Sequence, residues 1–114
     1  MPDPDFEREL RRLRENYRPQ LRRDLVALDA SLREARGSDD KQLLETARRL
    51  AHRVKGTSGS YGLTEVSAPL AAIEARLVDL LGSVVREPGG AWEEIQRGLE
   101  QARAAAEAGG RPPE

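Results

Sequence analysis

The chain is predicted to be all-α: an antiparallel four-helix bundle with an additional short N-terminal helix. Three observations carry that expectation. Apolar residues recur in steps of three and four along most of the 114 residues. Strand signals are weak, because aromatic residues make up only 4% and no stretch alternates apolar with polar for long. The composition, 38% hydrophobic and 34% charged, suits one small domain whose helices each turn one face inward.

Taken in order, the first stripe runs Phe6, Leu10, Leu13, Tyr17, and Pro19 is expected to end or kink a short helix there and to open the next. The second stripe is Leu21, Leu25, Leu28, Leu32, Ala35. Gly37-Ser38-Asp39-Asp40 reads as a C-terminal glycine followed by N-cap candidates. The third segment places Leu43, Leu44, Ala47, Leu50, Ala51 and Val54 on one face. The fourth carries Val66, Leu70, Ile73, Leu77, Leu80, Leu81 and Val84, and Thr64 or Ser67 is its cap. Starting at Ser67 puts Pro69 in the first turn, where it costs little; starting at Thr64 puts it in the second, where a hydrogen bond is lost. Gly82 to Gly90 is a loop. The last helix shows Trp92, Ile95, Leu99, Ala102 and Ala106. Residues 1–108 thus read as one domain and 109–114, Gly-Gly-Arg-Pro-Pro-Glu, as a disordered tail.

Composition narrows the chemistry. The absence of cysteine removes disulfides, thiolate metal sites and thiol nucleophiles, and a single histidine, His52, excludes zinc sites built on several imidazoles. With 19 basic and 20 acidic residues the net charge is -1, so no global field favours nucleic acid or an anionic membrane. No apolar run is long enough to span a bilayer, and Met1-Pro2-Asp3-Pro4-Asp5 lacks the features of a secretory signal, which makes the cytoplasm the expected location. Asp39-Asp40 and the scattered glutamates read as caps and solvated faces, so no metal site is expected.

The helical wheel of the third segment puts His52 roughly 145° from the centre of its apolar stripe, facing away from the core. Arg48, Lys55, Gly56 and Gly59 share that outward face and Arg49 flanks it. Neutral imidazole is a good nucleophile toward an activated phosphoryl group, and the basic neighbours favour the neutral ring. Lys55, one turn on, can set a compact ammonium against phosphoryl oxygens. An exposed glycine inside a helix costs about 1 kcal/mol relative to alanine, so Gly56 and Gly59 point to close approach by another surface. Equally, Gly56-Thr57-Ser58-Gly59-Ser60-Tyr61-Gly62 reads as a loop after the helix has ended. A nucleotide-binding P-loop does not fit, because Lys55 precedes the glycines and a helix precedes Lys55.

The stretch Ala51-His52-Arg53-Val54-Lys55-Gly56-Thr57-Ser58-Gly59-Ser60-Tyr61-Gly62-Leu63 resembles the signature of the histidine-containing phosphotransfer domain: histidine, lysine three on, glycine four on, and small residues or glycine seven and ten on. The likeness extends over about residues 3 to 106. It implies a phosphorelay intermediate and not an autonomous enzyme. In that reading His52 accepts the phosphoryl group from the aspartate of a response-regulator receiver domain and passes it to another. Lys55 stabilises the group, and Gly56 and Gly59, with Arg48 and Arg49, form the docking face. The resemblance implies Mg2+ on the partner receiver and no cofactor on this chain, with receivers and a hybrid histidine kinase as partners. With no kinase sequence between Met1 and the Gly-Gly-Arg-Pro-Pro-Glu tail, a stand-alone monomer is expected, and a domain excised from a larger kinase is the alternative. The competing reading is a helical-bundle adaptor or inhibitor of a signalling kinase that never carries phosphate.

Overall fold

The computed structural model describes residues 3–83 and 90–108. They form four helices: α1 (Pro4–Arg36), α2 (Lys41–Ser60), α3 (Thr64–Gly82) and α4 (Ala91–Ala108). Among the described residues there is no strand. Cross-contacts fix an up-down-up-down order. Asp24 on α1 meets Arg53 on α2; Glu74 on α3 meets Lys55 on α2; Arg76 on α3 meets Glu94 on α4; and Arg22 on α1 meets Glu107 on α4. Each helix packs on its two neighbours around the cycle.

The separate N-terminal helix is not present: α1 runs unbroken for 33 residues through Pro19. Proline removes the hydrogen bond to the carbonyl of Glu15, but both residues are exposed, so water can take the missing donor's place. Tyr17 and Leu21, buried on either side of Pro19, hold the helix to the bundle across the gap. Asp3 caps α1, its carboxylate accepting from the Asp5 N–H at 3.0 Å, and Pro4 opens the first turn. At the far end the Gly37 N–H donates to the Arg33 carbonyl at 3.2 Å.

α2 begins as the sequence signals, with the Asp40 carboxylate accepting from the Gln42 N–H at 2.9 Å. It does not stop at Gly56. Gly56 and Gly59 are both helical, and the reversal comes at Gly62, whose φ of 74° suits a residue without Cβ. α3 starts at Thr64, so Pro69 lies in its second turn. Leu63 occupies the cap position and no side chain caps this end, which replaces the expected Thr64 or Ser67 cap. Instead the Leu63 carbonyl accepts from Val66 and Ser67, and the Leu63 N–H donates to Ser58 at 2.9 Å, so the turn is closed by backbone alone.

The core is formed by Leu21, Leu25, Leu28, Leu32 and Ala35 of α1, Val66, Leu70, Ile73, Leu77 and Leu80 of α3, and Trp92, Ile95, Leu99, Ala102 and Ala106 of α4. α2 contributes small side chains, Ala47, Ala51 and Val54, whereas Leu43, Leu44 and Leu50 are only half-buried at its edges. Ser58 is fully buried on the same face, its hydroxyl returned to the Val54 carbonyl at 2.7 Å. Gly98 allows α4 to press on α3: a Cβ there would stand 3.0 Å from Ile73 Cγ1 and 3.3 Å from the Pro69 carbonyl. Phe6 and Leu13, expected on a packed stripe, are exposed at 64% and 41% because α1 overshoots the other helices. Val84, most of the 82–90 loop and the tail lie outside the described residues.

Replacing Pro19 by alanine restores the hydrogen bond to Glu15 and should stabilise the protein by roughly 1–3 kcal/mol, read as a raised urea midpoint. A lowered midpoint would mean that the chain breaks at Pro19.

Candidate functional site

The antiparallel register of α2 and α3 sets Glu74 opposite the outward face of α2. Its carboxylate is largely covered, with 14% of the side chain exposed, and meets three cation-bearing side chains. The Lys55 ammonium donates to Oε1 at 2.5 Å. Nδ1 of His52 lies 2.8 Å from Oε2, and the Arg48 guanidinium stands 3.5 Å from the same oxygen. The His52 side chain keeps 63% of its surface exposed, facing away from the core as the wheel requires.

Burial works against the charge on Glu74, but hydrogen bonds from Lys55 and His52 outweigh it and hold the carboxyl below its ordinary range. An ionised carboxylate only accepts, so the ring nitrogen against it carries the proton. Nδ1–H donates to Glu74, and in the neutral ring Nε2 then carries the lone pair. The bare basic patch expected around His52 is therefore a paired cluster. Arg48 sends Nε and Nη2 to Glu45 at 2.8 and 2.6 Å, and Arg49 sends Nε to the same carboxylate at 3.1 Å. Those hydrogen bonds, that from Arg48 foremost, lower the Glu45 carboxyl to about 2. Arg48 thus links Glu45 to the Glu74 cluster. Arg49, 75% exposed, is turned toward Glu45 at the edge of the face.

Gly56 and Gly59 lie along α2 beyond His52. A Cβ at Gly56 would meet nothing within 4 Å, and one at Gly59 would only touch the Ser67 Cβ at 3.9 Å. Nothing inside the chain requires glycine at either position. Their effect is to leave the surface beside the imidazole bare.

Glu74 is the residue that the sequence reading missed. Its one signal is position: an acid in the middle of α3, directly after the core residue Ile73 and three residues before Leu77. Only the pairing of α3 with α2 makes it the partner of His52. Among the described residues no group of three or more histidine, cysteine, aspartate or glutamate side chains is placed to hold a metal ion, and no helix is long and apolar enough to cross a membrane.

A family model, the Hpt domain, matches residues 12–105. The chain belongs to the Hpt domain family. No curated protein and no solved structure matches it. Hpt domains are phosphotransfer carriers of two-component phosphorelays: they carry a phosphoryl group on histidine and interact with receiver domains and kinases, without autonomous enzymatic activity. The matched span takes in most of α1, all of α2 and α3, and α4 as far as Ala105, so the Hpt domain is the bundle itself.

The Glu74 cluster has a signature in pH. Because the folded carboxyl lies below its unfolded value, its contribution is complete above the ordinary carboxylate range and is lost as pH falls through the folded value. Stability should decline as pH falls below the ordinary carboxylate range, and Glu74→Gln should make that decline shallower. Identical acid limbs for the two proteins in urea titrations would contradict the pairing.

Proposed function

We propose that His52 is the phosphoacceptor of this Hpt domain and that Nε2 is the attacking atom. The observation that carries the proposal is the Nδ1–Glu74 contact on an exposed ring, which leaves Nε2 free and in the nucleophilic tautomer. His52 is also the sole histidine of the chain. Attack on the phosphorus of a receiver's aspartyl phosphate forms the Nε2–P bond and breaks the P–O bond, returning the aspartate as a carboxylate. The ring becomes an N-phosphorylated imidazolium, and Glu74, already at Nδ1–H, faces the positive charge that develops. Transfer onward is the reverse of these steps at a second receiver.

In this reading Lys55 moves between two partners. At rest its ammonium is held by Glu74; once phosphate arrives, the flexible stem lets it turn toward the phosphoryl oxygens. Gly56 and Gly59 give the receiver a flat approach, and Arg48 and Arg49, pinned to Glu45, present a fixed basic rim to it. The receiver supplies the Mg2+, so the transfer asks for no cofactor on this chain. The site draws its residues from one copy, which makes one copy, residues 1–108, the transferring unit. A hybrid kinase with its own receiver is a suitable donor, and the cytoplasm, where such receivers work, is the proposed location.

Incubation with a phosphorylated receiver should label the protein with acid-labile, alkali-stable phosphate, and His52→Gln should abolish the label; retention of label in that variant would refute the assignment. Lys55→Ala should slow transfer or shorten the phosphohistidine lifetime while leaving the circular dichroism spectrum intact, and unchanged kinetics would remove Lys55 from the site. The open space at Gly56 lets Gly56→Leu fold, so its effect should fall on receiver affinity, lowered about tenfold or more in calorimetry. Undiminished affinity would rule out the steric role.

A further inference from the structure

α1 is 33 residues long against 18 to 20 in the other helices, and the molecule extends 52 Å along its major axis. The overhang is its N-terminal end. Among the described residues the first polar tie to the rest of the bundle is Arg14, whose Nε donates to the Tyr61 carbonyl, followed by Tyr17 stacked on Tyr61 with ring centroids 4.5 Å apart. Residues 4–13 project beyond that point by about 15 Å.

This arm is not a plain solvated helix. Phe6, Leu10, Leu13 and Tyr17 are spaced four, three and four apart, the alternation of a two-helix seam. The seam runs without a break into the stripe that α2 and α4 bury from Tyr17 onward. On the arm it is open at Phe6 and Leu13, both exposed, and half-covered at Leu10. The charges beside it are polarised. Residues 3–9 hold Asp3, Asp5, Glu7 and Glu9 against Arg8, four acids and one base, a net −3; residues 10–18 hold Arg11, Arg12, Arg14 and Arg18 against Glu15, a net +3.

We propose that the arm is a self-association surface, through which two copies of the chain pair antiparallel, Leu10 and Leu13 of each meeting across a two-fold axis. Antiparallel pairing sets the acidic half of one arm on the basic half of the other, whereas parallel pairing stacks like on like. An anionic lipid surface would be repelled by the acidic half, so the polarity singles out a second copy. In helix register Glu9 falls near Arg12 of the second copy and Glu7 near its Arg18. The Glu9–Arg12 bridge within one arm has both side chains more than half exposed, so exchanging it for the contact between copies costs little. Two arms this short bury less than a standard interface, which puts the dimer in the weak, concentration-dependent class. The arms lie away from His52: Asp24, level with Arg53 beside it, is eleven residues from Leu13, about 16 Å along the helix.

Sedimentation equilibrium of the full chain, from about 10 µM to about 1 mM, tests the proposal at concentrations that span weak association. The average mass should rise from the 12.6 kDa of one chain toward twice that value. The double variant Phe6→Glu/Leu13→Glu should weaken association by about tenfold or more while keeping its helix content and its uptake of label from a receiver. Glu7→Arg/Glu9→Arg and Arg12→Glu/Arg18→Glu should each stay monomeric alone and associate when mixed. A single 12.6 kDa species throughout would overturn the proposal. So would association that survives Phe6→Glu/Leu13→Glu, or mixed charge variants that remain apart.

Discussion

The register between α2 and α3 is the constraint on which the rest of the site depends. It is set at the Gly62 reversal, where a positive φ lets the Leu63 N–H return to the Ser58 carbonyl and starts α3 within one residue. From there the helices run back along each other, Gly59 beside Ser67 and then Lys55 and His52 beside Glu74, with Lys41 reaching the Leu81 carbonyl at the far end. A slip of one residue would rotate Glu74 by about 100° away from α2. The small side chains of α2, Ala47, Ala51, Val54 and Ser58, let its axis come close enough for these contacts.

Glu74 turns a group of positive side chains into an ordered one. A bare set of cations around an imidazole would repel one another and hold no single arrangement. With one partly buried carboxylate among them, Lys55, Arg48 and His52 each have a fixed direction, and the ring's tautomer follows from the rule that a carboxylate cannot donate. Glu45 does the same for Arg48 and Arg49 one turn earlier. In the proposed relay such preorganisation matters, because donor and acceptor receivers would approach the same atom in turn.

The two interior prolines show how the bundle tolerates local cost. Pro19 leaves an exposed carbonyl to solvent, and buried residues on both sides keep the helix whole. Pro69 faces Gly98 of α4, which lacks the side chain that would crowd the Pro69 carbonyl and Ile73. By local propensity Pro19 reads as a break or kink, and Pro69 leaves the start of α3 open between Thr64 and Ser67. Packing across helices carries α1 through Pro19 and starts α3 at Thr64, since its energy exceeds the loss of one hydrogen bond.

By itself the sequence determined the helical class, the stripes of α1 from Leu21, of α3 and of α4, the Asp40 cap and the outward direction of His52. All of these follow from the period of one helix, which needs no knowledge of its neighbours. The motif from His52 to Gly62 likewise pointed to the family, because its spacings are local. Three things required the tertiary structure. The continuity of α2 through Gly56 and Gly59 depended on Val54 and Ser58 being buried on either side of Gly56. The overhang of α1 depended on where α2 turns. The partnership of His52 with Glu74, 22 residues away, depended on a register that no single-helix period encodes.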